Sequence, residues 1–153
     1  MPLSITNLDR LFTEANAGLG YETARVLSFS KYPYHIFVGS RSLKRGVEAV
    51  ARLRQHSNGA TTFSVLKLDV TSDADISAAF EEVASKHNHL DVLVNNAGIA
   101  TDNIDQPGSP SLRATFQGTF DTNVVHREQD GKTVEGSIDG CNNTHLRLTN
   151  QQC

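Results

Sequence analysis

Residues 90–100, Leu-Asp-Val-Leu-Val-Asn-Asn-Ala-Gly-Ile-Ala, constrain the fold of this chain more than any other stretch. The run 90–94 is apolar, rich in valine and too short for an ordinary helix, so it predicts a buried strand. It stops at Asn95 and Asn96, whose side chains can hydrogen-bond backbone on either side. Ala97 and Gly98 then leave room for something to approach the strand end closely. In an open α/β sheet, ligands bind beyond the carboxyl ends of the strands, so this turn is where a bound group is expected.

The rest of the chain supplies the sheet that such a strand needs. Tyr34-His35-Ile36-Phe37-Val38-Gly39 reads as a strand after Pro33, and residues 62–68 read as another, ending at Asp69. Helical spacing fills the intervals. Leu19, Thr23, Val26 and Leu27 share one face of a helix over 19–28. Ser42 caps a second helix with Val47, Val50, Ala51 and Leu53 on its apolar side, and Ser57-Asn58-Gly59 closes it. Ser72 and Asp75 resemble a capping box ahead of Ile76, Ala79, Phe80 and Val83. Ser111 starts a last helix with Leu112, Phe116, Phe120 and Val124 on one side. Alternation of this kind is the signature of βαβ units in a parallel sheet. The weakest element is the first strand, Asn7-Leu8-Asp9-Arg10-Leu11-Phe12, because burying Asp9 and Arg10 costs several kcal/mol unless they pair well. Beyond residue 125 the pattern stops. Residues 126–153 hold few large apolar side chains and two Asp-Gly turns, which predicts an irregular or disordered tail.

Composition narrows the function classes. A chain of 153 residues suits one domain. Its net charge of −3 and pI near 6.0, with no basic block, point away from nucleic acid and from anionic membrane surfaces. No apolar run approaches a membrane span of about 20 residues. The opening Met-Pro-Leu-Ser-Ile-Thr-Asn lacks the regions of a signal peptide, so a cytoplasmic protein is expected. Cys141, His145 and His126 have no recognised metal-ligand spacing, so no metal site is expected and Cys141 and Cys153 read as solvated bystanders. His87 and His89 read as helix-end residues in a turn.

The loop Thr13-Glu14-Ala15-Asn16-Ala17-Gly18-Leu19-Gly20 lies between the weak strand and the first helix. Glycines there let backbone N–H groups close on a pyrophosphate at the helix N-terminus. With that loop, the chain resembles the short-chain dehydrogenases/reductases, whose Thr-Gly-x-x-x-Gly-x-Gly motif it matches at Thr13, Gly18 and Gly20. Leu68-Asp69-Val70 resembles the family segment whose Asp meets the adenine. Asn95-Asn96-Ala97-Gly98 matches the family's Asn-Asn-Ala-Gly motif, and Asn123 in Asp121-Thr122-Asn123-Val124 resembles the family's catalytic asparagine.

The resemblance covers about residues 13–125 and implies a Rossmann-like doubly wound parallel sheet of about four strands, incomplete, with the irregular tail as a separate segment. It implies a nicotinamide cofactor held by Thr13, Asn16, Gly18, Leu19, Gly20, Ser40, Arg41, Asp69, Val70, Asn96, Ala97 and Gly98, and a small carbonyl or alcohol as substrate. Ser40-Arg41 follows the second strand, where the family distinguishes its two cofactors. An Arg there offers donors to a 2′-phosphate and no acidic residue stands at 39–42, so NADP is expected over NAD.

Two departures qualify the expected activity. Glu14 stands where the motif has its first glycine, bringing a Cβ and a carboxylate close to the expected pyrophosphate. The family's Tyr-x-x-x-Lys pair has no counterpart: the tyrosines are Tyr21, Tyr32 and Tyr34, all upstream, and Ser137 is the one serine downstream of Asn123. Losing that proton partner costs about 10²–10⁴-fold or more in rate. Impaired oxidoreduction is therefore expected, with a catalytically inactive NADP-binding fragment or a non-catalytic partner as the alternative.

Overall fold

The computed structural model describes residues 8–87, 89–100 and 109–123; the expectations for Val124, for Ser137 and for the tail over 126–153 lie outside them. Within them run four strands, β1 (Leu8–Phe12), β2 (Tyr34–Ser40), β3 (Thr62–Lys67) and β4 (Val92–Val94). Four helices alternate with these: α1 (Gly18–Leu27), α2 (Leu43–His56), α3 (Asp73–His87) and α4 (Leu112–Asn123). All strand pairs are parallel and the sheet order is β3-β2-β1-β4. The chain steps outward from β1 to β2 to β3, then crosses back to lay β4 on the other side of β1. Helices cover both faces, which is the Rossmann-like doubly wound arrangement expected from the alternation.

Each strand feeds both faces in alternation. Phe12, Ile36, Val38 and Phe63 pack with Tyr21 and Ala24 of α1 and Ala49, Val50 and Leu53 of α2. Leu11, Phe37 and Leu66 point the other way and pack with Ala79 and Val83 of α3 and with Leu90.

β1 is central, contrary to its weak appearance, because Asp9 and Arg10 find separate partners on opposite faces. Asp9 is 5% exposed, and its Oδ2 lies 3.0 Å from His87 Nδ1 at the end of α3. The Asp9 N–H donates to Asp91 Oδ2 at 2.6 Å. The Arg10 guanidinium lies over the Tyr34 ring, 4.4 Å from its centroid. A buried carboxylate beside a histidine and a guanidinium on an aromatic face keep both charges partnered where neither meets the other. His87 also stacks on His35, with ring centroids 4.5 Å apart. Burial and the neighbouring His87 hold the His35 imidazole below its ordinary pKa, with Asp9 acting in the opposite sense.

Helix phases correct two expectations. In α1 the buried residues are Gly20, Tyr21 and Ala24, while Leu19 and Val26 are exposed. The phase is set at Gly20, whose face presses on Asn96. In α2 the buried stripe is Gly46, Ala49, Val50 and Leu53, with Val47 and Ala51 outside it. Gly46 lets the helix approach Val65, so a glycine rather than a valine faces the sheet. In α4, Leu112, Phe116 and Phe120 are all exposed. β4 is likewise half-buried rather than buried, because among the described residues it is paired on one side only. The Ser42 cap holds, its Oγ accepting from the Arg45 N–H. Ser72 also caps its helix, accepting from the Asp75 N–H. Asp75 then departs from a capping box by accepting from the Asp69 N–H and pairing with Lys67. Among the described residues no helix is long and apolar enough to cross a membrane, and no group of His, Cys, Asp and Glu is placed to hold a metal ion.

Candidate functional site

The sheet order places a topological switch point between β1 and β4, and the segments leaving their carboxyl ends form the walls of a cleft. One wall is the loop 13–17 leading into α1. The other is the turn 95–99 that the sequence singled out.

Thr13 and Asn96 stitch these walls together across 83 residues of sequence. The Thr13 hydroxyl accepts from the backbone N–H of Asn96 at 2.9 Å and of Ala97 at 2.8 Å. The same hydroxyl donates to the Val94 carbonyl at 3.4 Å, beside the Thr13 N–H. In return the Asn96 Nδ2 donates to the carbonyls of Thr13 at 2.9 Å and Glu14 at 3.2 Å. Thr13 is 5% exposed, so its hydroxyl is committed to the protein. Asn96 is committed in the same way, and these two residues shape the cleft from within.

Gly20 completes the lock. A Cβ on it would lie 2.5 Å from Asn96 Nδ2 and 3.2 Å from the Ala15 Cα, so the first turn of α1 and the Asn96 amide meet only because the residue is glycine. Gly18 has φ +61 with open space around its Cβ direction. Helix α1 begins there with no side-chain cap and no acidic residue in its first turn, leaving its N-terminal dipole free for an anion. Leu19 is exposed on that turn, and the carbonyl of Asn16 is held by Arg52 Nη2 at 3.3 Å.

Beside these walls lies a small pocket, open to solvent and lined by Glu14, Arg41, Asp69, Val70, Thr71 and Thr122. Arg41 follows β2 and is mostly exposed, with its Nε 2.6 Å from Glu14 Oε1. Ser40, 1% exposed, donates to the Ser42 carbonyl and accepts from the Ser42 N–H, fixing the bend that presents Arg41. The Asp69 carboxylate accepts from the N–H and hydroxyl of Thr71, at 3.0 and 2.7 Å. Partial burial works against its charge. The Thr71 hydrogen bonds, then Arg41 and Lys67, outweigh that and hold its carboxyl below the ordinary carboxylate value.

Asn123, at the end of α4, turns its amide onto the 95–99 turn. Its Oδ1 accepts from the Ile99 N–H and its Nδ2 donates to the Ile99 carbonyl, both at 2.9 Å. Gly98 lies beside that amide, a Cβ on it falling 3.4 Å from Asn123 Oδ1. The structure therefore brings several of the sequence-derived residues to the carboxyl end of the sheet. Thr13, Asn96 and Asn123 are engaged in building the cleft. Arg41, Asp69 and Val70 line the pocket beside it, and Gly18 and Leu19 are exposed at the start of α1. Sequence reading missed Thr71 and Thr122. Thr71 had a signal as the third residue of an Asp-initiated turn; Thr122 had none, since only the seating of α4 brings it to the cleft.

A profile of the short chain dehydrogenase family matches residues 11–126. The chain is 40% identical over 117 residues to the short-chain dehydrogenase/reductase eupG of a Phoma species, covering 75% of this chain and 42% of that protein. To (+)-neomenthol dehydrogenase of Capsicum annuum it is 37% identical over 89 residues, covering 58% and 28%. Among solved structures it superposes on L-sorbose reductase from Gluconobacter frateurii, complexed with NADPH and L-sorbose. The TM-score is 0.60 at 25% identity, covering 81% of this chain and 44% of that one. ElxO with NADP bound gives a TM-score of 0.60 at 26% identity, covering 78% and 45%. The chain spans less than half the length of these relatives.

Proposed function

The chain belongs to the short-chain dehydrogenase family, and from that premise we propose that its switch-point cleft binds NADP in preference to NAD, as the cofactor half of an oxidoreductase acting on a carbonyl or alcohol. The observation that carries this reading is the reciprocal stitching of Thr13 and Asn96, which holds the loop before α1 and the turn after β4 as two walls of one cleft.

The residues present fit a dinucleotide. The uncapped start of α1 at Gly18 offers N–H groups and a positive dipole end to a pyrophosphate. Asp69 and Val70 line the end that takes the adenine, and Arg41 there offers guanidinium donors to a 2′-phosphate. When bound, the nicotinamide supplies or accepts the hydride. The protein's part is orientation: Gly98 and the 95–99 turn give a close, backbone-lined wall, and Asn123 fixes that wall through Ile99 as a positioning residue. Proton transfer has no counterpart to the family's tyrosine, because no tyrosine follows Tyr34 in these 153 residues. On their own, these 153 residues are expected to bind cofactor and to turn over carbonyls weakly or not at all.

Titration of the 153-residue chain with NADPH, read by thermal shift and by nicotinamide fluorescence, tests the binding. A saturable rise in melting temperature with NADPH, larger than with NADH, is expected. A flat response to both cofactors removes the reading. Reduction of a panel of aldehydes and ketones well above background overturns the statement about turnover.

A further inference from the structure

Glu14 is the one residue of the cleft whose backbone and side chain both run against expectation. Its φ is 49, and it is the only non-glycine residue at positive φ among the described residues. A side chain there is strained, and this one is not turned out to solvent: it is 22% exposed, with its carboxylate 2.6 Å from Arg41 Nε. Arg41 is the sole cation among the six residues lining the pocket beside the cleft walls, where Glu14 and Asp69 are both acids. The second strand ends without an acidic residue at 39–42, yet the fold delivers one to the same place from the preceding loop.

Resting on the dinucleotide reading above, we infer that Glu14 is a specificity-determining residue: its carboxylate occupies Arg41, and a 2′-phosphate must displace it to bind. Two physical effects give the direction. A dianionic phosphate entering the cleft meets the Glu14 carboxylate as a like charge and competes with it for one guanidinium. A nucleotide with a free 2′-hydroxyl meets neither cost, and the carboxylate is an acceptor for that hydroxyl. Arg41 is 59% exposed, so the pair it makes with Glu14 is worth only a few-fold in an equilibrium constant and is displaceable. Arg41 thus draws in the phosphorylated cofactor and Glu14 trims its advantage.

The test is a binding matrix on the full chain, with NADPH and NADH titrated against wild type, Glu14→Gln, Glu14→Gly and Arg41→Gln. Glu14→Gln keeps the side-chain shape and removes the charge; it is expected to tighten NADPH by about three- to fivefold and to leave NADH unchanged or weaker. In the Arg41→Gln background that gain is expected to shrink to less than twofold, because the guanidinium being freed is absent. Glu14→Gly removes charge and strain together, so any gain beyond that of Glu14→Gln, shared equally by both cofactors, measures the backbone contribution. NADPH binding that Glu14→Gln leaves unchanged, or an equal gain for both cofactors, overturns the inference and leaves the dinucleotide reading standing. Failure of every variant to bind either cofactor overturns both.

Discussion

The α1–α2 face of the sheet and the cleft at its carboxyl end are held together by different forces. On the face, Phe12, Ile36, Val38, Phe63 and Leu53 are almost fully buried, and the cohesion is apolar. At the cleft, one threonine hydroxyl and two asparagine amides carry the connection, and Val92–Val94 beside them are half-buried. A packed face resists through many interchangeable contacts, whereas a stitched cleft depends on a few directional ones. Damage to the first should lower global stability, and damage to the second should open the site while the sheet survives.

The largest effect expected is on the packed face. Leu53 is 0% exposed, and Leu53→Ala should destabilise the chain by about 2–5 kcal/mol in urea denaturation. A loss below about 1 kcal/mol would mean that the face is loosely packed and the contrast false. Next comes Thr13→Val, which keeps the shape and leaves the N–H groups of Asn96 and Ala97 without their acceptor. It should cost about 1–3 kcal/mol, with faster hydrogen exchange confined to residues 95–99 and restoration by Thr13→Ser. Exchange that quickens evenly across the sheet would erase the distinction between the two regions.

A pH series sharpens the comparison from the opposite end of the sheet. His35 titrates below its ordinary value of 6.5 in the folded chain, through burial first and His87 second. The unfolded chain therefore takes up that proton at higher pH than the folded one. Stability from this group is complete above about pH 6.5 and is lost as pH falls below it. The melting temperature should drop on acidification from pH 7.5 to 5.5, and His35→Gln should flatten that slope. A slope unchanged by the substitution would place the titration elsewhere. The smallest effect belongs to α4: Phe116 is 64% exposed, and Phe116→Ala should change stability by no more than about 0.5 kcal/mol. A larger loss would show that α4 is anchored by apolar packing as well as by Asn123.

What could be read in advance divides along the same line. Strands β2 and β3 and the Ser42 cap were legible because run length, β-branched content and cap chemistry are local properties. The centrality of β1 was not, since Asp9 and Arg10 are made tolerable by His87 and Tyr34, 78 and 24 residues away. The faces of α1 and α2 were misjudged for one reason. Hydrophobicity drew attention to Leu19, Val26 and Val47, while the sheet selects Gly20 and Gly46, the residues that let a helix come close. Residues at the strand ends could be singled out by motif, and which of them bond to one another could not. Nothing in the sequence distinguished Thr13 and Asn96, which build the walls, from Arg41 and Gly18, which face the opening. The Glu14–Arg41 pair joins two loops that only the folded sheet brings together.

The strand order has a consequence for how the protein is made. Synthesis proceeds from the N-terminus, and β1, β2 and β3 with α1 and α2 are complete by residue 67, enough to assemble three parallel strands and one covered face. The partner of Thr13 does not exist until residue 96 has been translated. During that interval the loop before α1 lies on a nascent sheet whose edge at β1 is open. The cleft forms only after β4 is laid against β1, and every earlier intermediate is as stable as its own apolar face makes it.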